Sequence, residues 1–400
     1  MSPPDKRTPE GTQDRLFESC TVRQKAGDAV FTLLSRRGFR PVTTPAMEFY
    51  DLFGANRYFP QESMYKLIGA QGRILVLRPD STIPIARLIA TKLRQEPYPI
   101  RLCYNQTAYR VNPSMRGRLD EMLQCGAELV GSGGSDADLE MLLTACDCLH
   151  ACGAQPFTLE LGHIGIFQAL MEQLGADLPL QEEIRQLVES KNYTALGDLL
   201  DQLPDSPAAQ AMRRLPRLFG GETVLEQAAA LSPSPAFQQA LQELEQLYRQ
   251  LMQNGPDTQV LVDFGLVNQA EYYTGIVFRG YLPGVGRPVL SGGRYDHLMD
   301  DFGIHQPAIG FALHLDAIAD YLQKTAPLPP AGSQILVWWP KQQAARGIAY
   351  LRQLWQQGEL CESSLAESKE EAAAYAKARQ IPWLHIVDQT VTKHWMGEER

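Results

Sequence analysis

Side chains equipped for chemistry gather in four short segments of this 400-residue chain. The first is Leu77-Arg78-Pro79-Asp80-Ser81-Thr82, and the second runs from Tyr109 to Glu128, carrying Arg110 and Gln124 on the way. The third is Leu266–Phe278, with the tandem Tyr272-Tyr273, and the fourth is Gly292-Gly293-Arg294-Tyr295-Asp296. Their side-chain types suit the recognition of a small zwitterion. The Asp80 carboxylate and Thr82 hydroxyl can face an ammonium, and the Arg110 guanidinium can pair with a carboxylate. Glu128 can accept from a ring N–H, Tyr272, Tyr273 and Tyr295 can supply flat walls, and Gln124 can both donate and accept. Taken singly, each tyrosine is better explained as core packing.

Stepping along the chain gives the elements that must position these residues. Val22, Ala26, Val30, Leu33 and Leu34 recur at helical spacing, and Gly38 is a stop signal. Strand-like runs fall at Ile74–Leu77, Ile100–Gln106, Gln124–Val130, Phe157–Leu161, Gln259–Asp263 and Gly275–Arg279. Helical stretches separate several of them. The pattern predicts an α+β fold built on one large antiparallel sheet, with flanking helices, rather than strict βαβ alternation. From about Leu174 to Asn254 the sequence reads as a helical insertion broken by Pro204, Pro207 and Pro233. The core domain is expected over 1–322, a proline-rich linker over 323–333, and a small α/β unit over 334–400. Within that unit strands are expected at Ile335–Trp339 and Trp383–Val387, and helices at Ala344–Gln357 and Ala372–Arg379.

Composition narrows the function classes. Hydrophobic residues make up 44% and charged residues 21%, which is globular rather than disordered. No run of eighteen apolar residues and no apolar stretch behind a basic start is present, so a cytoplasmic protein without a membrane span is expected. The net charge of −9, with no Lys/Arg-rich block, argues against a nucleic-acid binder. Residues 334–400 carry eight Lys/Arg and eight Asp/Glu, a poor platform for RNA. Seven scattered cysteines in a chain this long point to reduced thiols. Cys146, Cys148 and Cys152 end a helical pattern without Cys-x-x-Cys spacing, so they are expected to pack as small hydrophobes, and no metal site is expected. The Gly131–Asp136 loop lacks a Walker lysine, and Ser135 with Asp138 reads as a helix start.

The four segments resemble the signature blocks of histidyl-tRNA synthetase, and Gly38–Glu48 resembles motif 1 of the class II synthetases, which builds their dimer interface. In that family the third and fourth blocks read roughly Leu-Val-Arg-Gly-Leu-Asp-Tyr-Tyr and Gly-Gly-Arg-Tyr-Asp, and the first reads Leu-Arg-Pro-Glu-Gly-Thr. Arg110, Gly117, Arg118, Gln124 and Glu128 match the second block. Other positions depart from the pattern. Asn268 stands for the arginine that lies against the reacting carboxylate and α-phosphate, Asn112 for a glutamate that helps hold ATP, and Asp120 for an arginine. In Gly310–Ala317, which resembles motif 3, Ala317 takes the place of the adenine-stacking arginine. Removing one fixed cation aimed at a developing charge costs about 3–4 kcal/mol, so adenylate formation is expected to be lost. With Asp80, Thr82, Gln124 and Glu128 kept in motif order, the resemblance implies a live histidine pocket, the imidazole resting on the tyrosines. Asp80 is one bond shorter than the family's glutamate.

A family with this profile of kept and lost residues is the regulatory subunit of ATP phosphoribosyltransferase, which the chain resembles over essentially its whole length. That resemblance implies a non-catalytic subunit without a cofactor that forms a hetero-oligomer with a short-form catalytic subunit in the first step of histidine biosynthesis. Histidine would be the feedback effector, the core a homodimer, and nucleic acid no partner. Two alternatives stay open: a divergent histidyl-tRNA synthetase, and a synthetase-like sensor of a different partner.

Overall fold

A computed structural model describes residues 6–54, 58–112, 119–255, 258–267, 272–328 and 332–397. Expectations resting on Asn268, Gly117 and Arg118 therefore lie outside the described residues. The chain divides into two compact units, Met1–Pro327 and Leu328–Arg400.

The first unit is organised around a sheet of nine strands among the described residues. Their order across the sheet is Arg40–Pro41, Ile100–Tyr109, Glu121–Val130, Ala308–His314, Pro288–Arg294, Ile276–Tyr281, Thr158–His163, Gln259–Asp263 and Phe219–Gly220. All neighbours run antiparallel except the 40–41/100–109 and 158–163/259–263 pairs. One row of residues crosses the centre: Leu102 faces Glu128, which faces Gly310, then Gly293, then Val277. Paired residues present their side chains on one side of a sheet, so this row and those two residues away share a face. Gln106, Gln124 and His314 form one such row, and Tyr104, Gly126, Ala312, Ser291 and Arg279 another.

Helices cover the sheet. Glu18–Arg36 buries Val22, Ala26, Val30 and Leu34, one stripe at four-residue spacing. It ends where Gly38 takes φ +81°, with Phe39 N–H reaching back to the Leu34 carbonyl at 3.1 Å. Thr82–Lys92 packs Ile83, Ile85 and Ile89 into the cluster that also holds Phe53, Phe59, Tyr104, Tyr272 and Tyr295. Helices occupy most of Ile164–Asn254, and several start on side-chain caps: Asp177 to Leu180 N, Asn192 to Ala195 N, and Ser206 to Ala209 N. Helical structure thus begins about ten residues before the break expected from polarity, because Ile164–Leu174 is buried and apolar. Ser135–Ala151 buries Cys146 and Cys148, and burial pushes the Cys146 thiol up to about 12. Asp138 does not cap this helix. Its carboxylate takes Arg294, and Gly134 stands at the N-cap.

The second unit holds a four-stranded sheet ordered Cys361–Ser363, Ile335–Trp338, Trp383–Val387, Val391–Trp395. Ala344–Gln356 packs on one face over Ile335, Val337 and Val387, and Lys369–Ala378 packs on the other over Leu336 and Leu384. The two outer strands are short and polar, which is why alternation alone did not mark them. Among the described residues no helix is long and apolar enough to cross a membrane.

Candidate functional site

Glu128 is the centre of the polar face, only 1% exposed. Thr82 Oγ1 donates to its Oε1 at 2.8 Å, and the Tyr295 hydroxyl donates to Oε2. Burial pushes the Glu128 carboxyl up to about 8, against the opposing pull of those two donors. A second buried carboxylate, Asp80, accepts from Ile83 N at 2.9 Å and from the Tyr272 hydroxyl at 3.3 Å. Burial raises its pKa too, and the Arg110 charge works in the opposite direction. Asp80 stands just before the N-terminus of the 82–92 helix, where the backbone dipole also favours an anion.

Aromatic rings enclose these acids. Tyr272 lies 4.9 Å from Tyr273, 5.8 Å from Tyr295 and 6.0 Å from Tyr58, centroid to centroid, each pair tilted or edge-on. Arg110 caps one end, its Nε donating to the Pro79 carbonyl at 2.6 Å and its guanidinium standing 4.9 Å from the Phe59 ring. Gln124 is buried two rows from Glu128 on the same strand face, opposite His314. The His314 imidazole is driven down to about 4 by burial and by the charges of Arg110 and Arg287, so it is neutral at pH 7. All eight expected binding residues thus fall in one region of one unit: Asp80, Thr82, Glu128, Tyr272, Tyr273 and Tyr295 in direct contact or as neighbours, Arg110 and Gln124 at the border.

The floor of the site is glycine. A methyl at Gly310 would meet Glu128 Oε2 at 1.6 Å, and one at Gly293 would meet the Tyr273 ring at 2.6 Å. One at Gly126 would meet the Tyr104 ring and hydroxyl at 2.6 Å. Three adjacent strands therefore give up side chains so that a carboxylate and two phenols can lie flat over the sheet. Sequence reasoning missed this floor, and with it Tyr104 and Tyr58; Tyr58 donates to Asp301. Glycines inside strand runs were the available signal.

Asp120, Asn112 and Ala317, three of the positions that depart from the synthetase pattern, lie among the described residues. Asp120 and Asn112 hold each other: Asp120 Oδ1 accepts from Asn112 N at 3.0 Å, and its Oδ2 accepts from the Tyr65 hydroxyl. The Asp120 backbone N–H donates to Gly11 O at 2.7 Å, tying in the N-terminal segment. Ala317 is buried in Leu315–Thr325, while its neighbour Asp316 takes Arg15, Arg23 and the Leu123 N–H. Arg294 of the Gly-Gly-Arg-Tyr-Asp block is structural, paired with Asp138 at 2.6 Å and Asp296 at 3.0 Å.

Residues 11–318 match the family model described as histidyl-tRNA synthetase. A protein of Clostridium kluyveri named ATP phosphoribosyltransferase regulatory subunit is 37% identical over 95% of this chain and 99% of its own. One of Bacillus cereus with the same name is 31% identical over 93% of this chain and 90% of its own. A crystal structure of an ATP phosphoribosyltransferase regulatory subunit/histidyl-tRNA synthetase from Bacillus halodurans superposes with a TM-score of 0.83 at 29% identity, covering 94% of this chain and 97% of that one. Histidyl-tRNA synthetase from Nostoc sp. PCC 7120 shares the fold, with a TM-score of 0.78 at 18% identity over 98% and 97% of the two chains. The antiparallel class II sheet, the acid-and-tyrosine cluster laid over glycine and the departures from the synthetase pattern thus come together in one assignment: the chain belongs to the histidyl-tRNA synthetase-like family of ATP phosphoribosyltransferase regulatory subunits.

Proposed function

We propose that this chain is the histidine-sensing, non-catalytic subunit of an ATP phosphoribosyltransferase, acting in the cytoplasm on a short-form catalytic subunit. The observation that carries the histidine reading is the Glu128 cluster. A buried carboxylate held by Thr82 and Tyr295, next to Asp80 and walled by tyrosines, has spare acceptor capacity and little water to use it on. An amino acid with a ring N–H satisfies that demand. Its imidazole donates to Glu128, its ammonium faces Asp80 and Thr82, and its carboxylate meets Arg110 beside Gln124.

Loss of synthetase chemistry follows from the same neighbourhood. Asp120 supplies negative charge and Ala317 supplies none where the synthetase pattern places cations, and Asn268 does the same by sequence. With those cations gone, the α-phosphate loses most of the electrostatic support for its transition state. Regulation then runs through binding alone: histidine favours one conformation of the subunit, and the partner feels it reciprocally, with a coupling of about 1–3 kcal/mol. The homodimeric core and the hetero-oligomer complete the reading. Isothermal titration of histidine tests it, together with co-purification and assay of the short catalytic subunit. Saturable binding that Glu128→Ala and Tyr273→Ala both weaken, and histidine inhibition of the reconstituted complex, are expected. Unchanged affinity in both variants, or histidine-dependent pyrophosphate exchange at a synthetase-like rate, would overturn it.

A further inference from the structure

We propose that the C-terminal unit carries a docking groove for an extended, basic peptide segment of another protein, which adds as a strand beside Cys361–Ser363. The strand lies at one edge of the four-stranded sheet, parallel to Ile335–Trp338. Leu360 O accepts from Ile335 N at 3.2 Å and Ser364 N donates to Val337 O at 2.8 Å, so residues 360 and 364 face the sheet. Alternation along the ladder then turns the N–H and C=O of Cys361 and Ser363 outward. The Cys361 carbonyl is taken by Trp355 Nε1 at 3.0 Å. The Cys361 N–H and both Ser363 groups point where a further strand would run.

The edge is not open to solvent on all sides, which separates it from an ordinary sheet margin. A cavity of 630 Å³ follows it, lined among others by Trp355, Leu365, Glu362, Glu371 and Tyr375. Trp355 comes from the helix on one face of the sheet and Tyr375 from the helix on the other, with the strand between them. An added strand would therefore send alternate side chains to the two walls, the arrangement that β-augmentation uses for specificity. Leu365 is 95% exposed and Trp355 54%, an apolar lip on the cleft. Charge selects the occupant. Glu362 and Glu371 line the cavity and no lining residue is basic; Glu359 and Glu367 lie close by in sequence, while Glu370 pairs with Lys369. The fitting segment alternates an apolar or aromatic residue with Lys or Arg. An RNA strand, which would need positive charge here, does not fit.

The test uses the full chain and two hexapeptides, fluorescein-Val-Lys-Phe-Lys-Val-Lys-amide and its counterpart with Glu for Lys, followed by fluorescence anisotropy and by amide exchange over residues 360–366. The lysine peptide is expected to bind saturably, at least tenfold more tightly than the glutamate peptide, and to slow exchange at Cys361 and Ser363. Ser363→Pro removes one outward donor and Glu371→Lys reverses the local charge; each is expected to weaken binding at least tenfold. Leu365→Ser, at a position too exposed to affect folding, is expected to weaken it severalfold. Equal binding of both peptides, no saturable binding, or full affinity in Leu365→Ser and Glu371→Lys would overturn the proposal. So would concentration-dependent self-association lost in Ser363→Pro, which would make a second copy the occupant. Histidine titration reads the other unit, so failure here leaves the proposed sensing function standing.

Discussion

Replacing Glu128 by Gln isolates the electrostatics of the pocket, because the amide keeps the carboxylate's shape and loses its proton equilibrium. In the protein the carboxyl is raised from 4.5 to about 8 by burial. A carboxyl raised on folding holds its proton in the folded state at pH values where the unfolded chain has released it. Stability is therefore fully present below about pH 4.5 and is lost as pH climbs towards 8. At 1.36 kcal/mol per unit, the loss accumulated by pH 7 is about 3 kcal/mol. Urea unfolding of the unliganded protein between pH 5 and 8 should show a decline in the wild type that Glu128→Gln lacks, the two curves separating by an amount of that order. Histidine acts on the same proton. A neutral imidazole N–H donating to Glu128, with the ligand ammonium close by at Asp80, favours the ionised carboxylate, so binding at pH 7 should release up to one proton. Titration calorimetry in two buffers of different ionisation enthalpy measures this directly, and the variant should release less. Parallel pH–stability curves for wild type and variant, together with no difference in proton release, would refute the account of a buried, strained acid awaiting a ligand.

Gly310→Ala places a methyl against Glu128 Oε2 and should abolish histidine binding while destabilising the fold by about 1–3 kcal/mol, read by calorimetry and urea unfolding. Tyr273→Ala removes one wall and should weaken histidine about tenfold, in line with about 1–1.5 kcal/mol for an aromatic contact. Asp138→Ala leaves the buried Arg294 short of its main partner and should cost about 3–5 kcal/mol, detectable as a fall in melting temperature. Asn268→Arg alone should not restore pyrophosphate exchange, because Asp120 and Ala317 still deny the phosphate its other cations.

Several helices and eight of the sixteen strands among the described residues were legible from local signals, but the central strands Pro288–Arg294 and Ala308–His314 were not marked. The Val22–Leu34 stripe with its Gly38 stop, and the apolar runs at 100–106 and 124–130, need no distant partner to announce themselves. The ligand class was legible as well, since Asp80, Thr82, Glu128 and the tyrosines are chemical types whose co-occurrence narrows the choice. Residue type also marked where charge is missing: nothing at Ala317 can stand in for a guanidinium. What linear order could not supply was which side chains share a face. Glu128, Gly310 and Gly293 are far apart in the chain, and only strand register makes them neighbours in one row. The same is true of Arg294, to which its motif assigned no role and which burial against Asp138 makes a strut. Tertiary packing likewise decides that Glu128 is a raised, dry acid rather than an ordinary surface carboxylate, because its pKa is set by how much water its neighbours exclude. Residue identity determined what this chain can recognise; the pairing of distant strands decided where, and at what electrostatic cost.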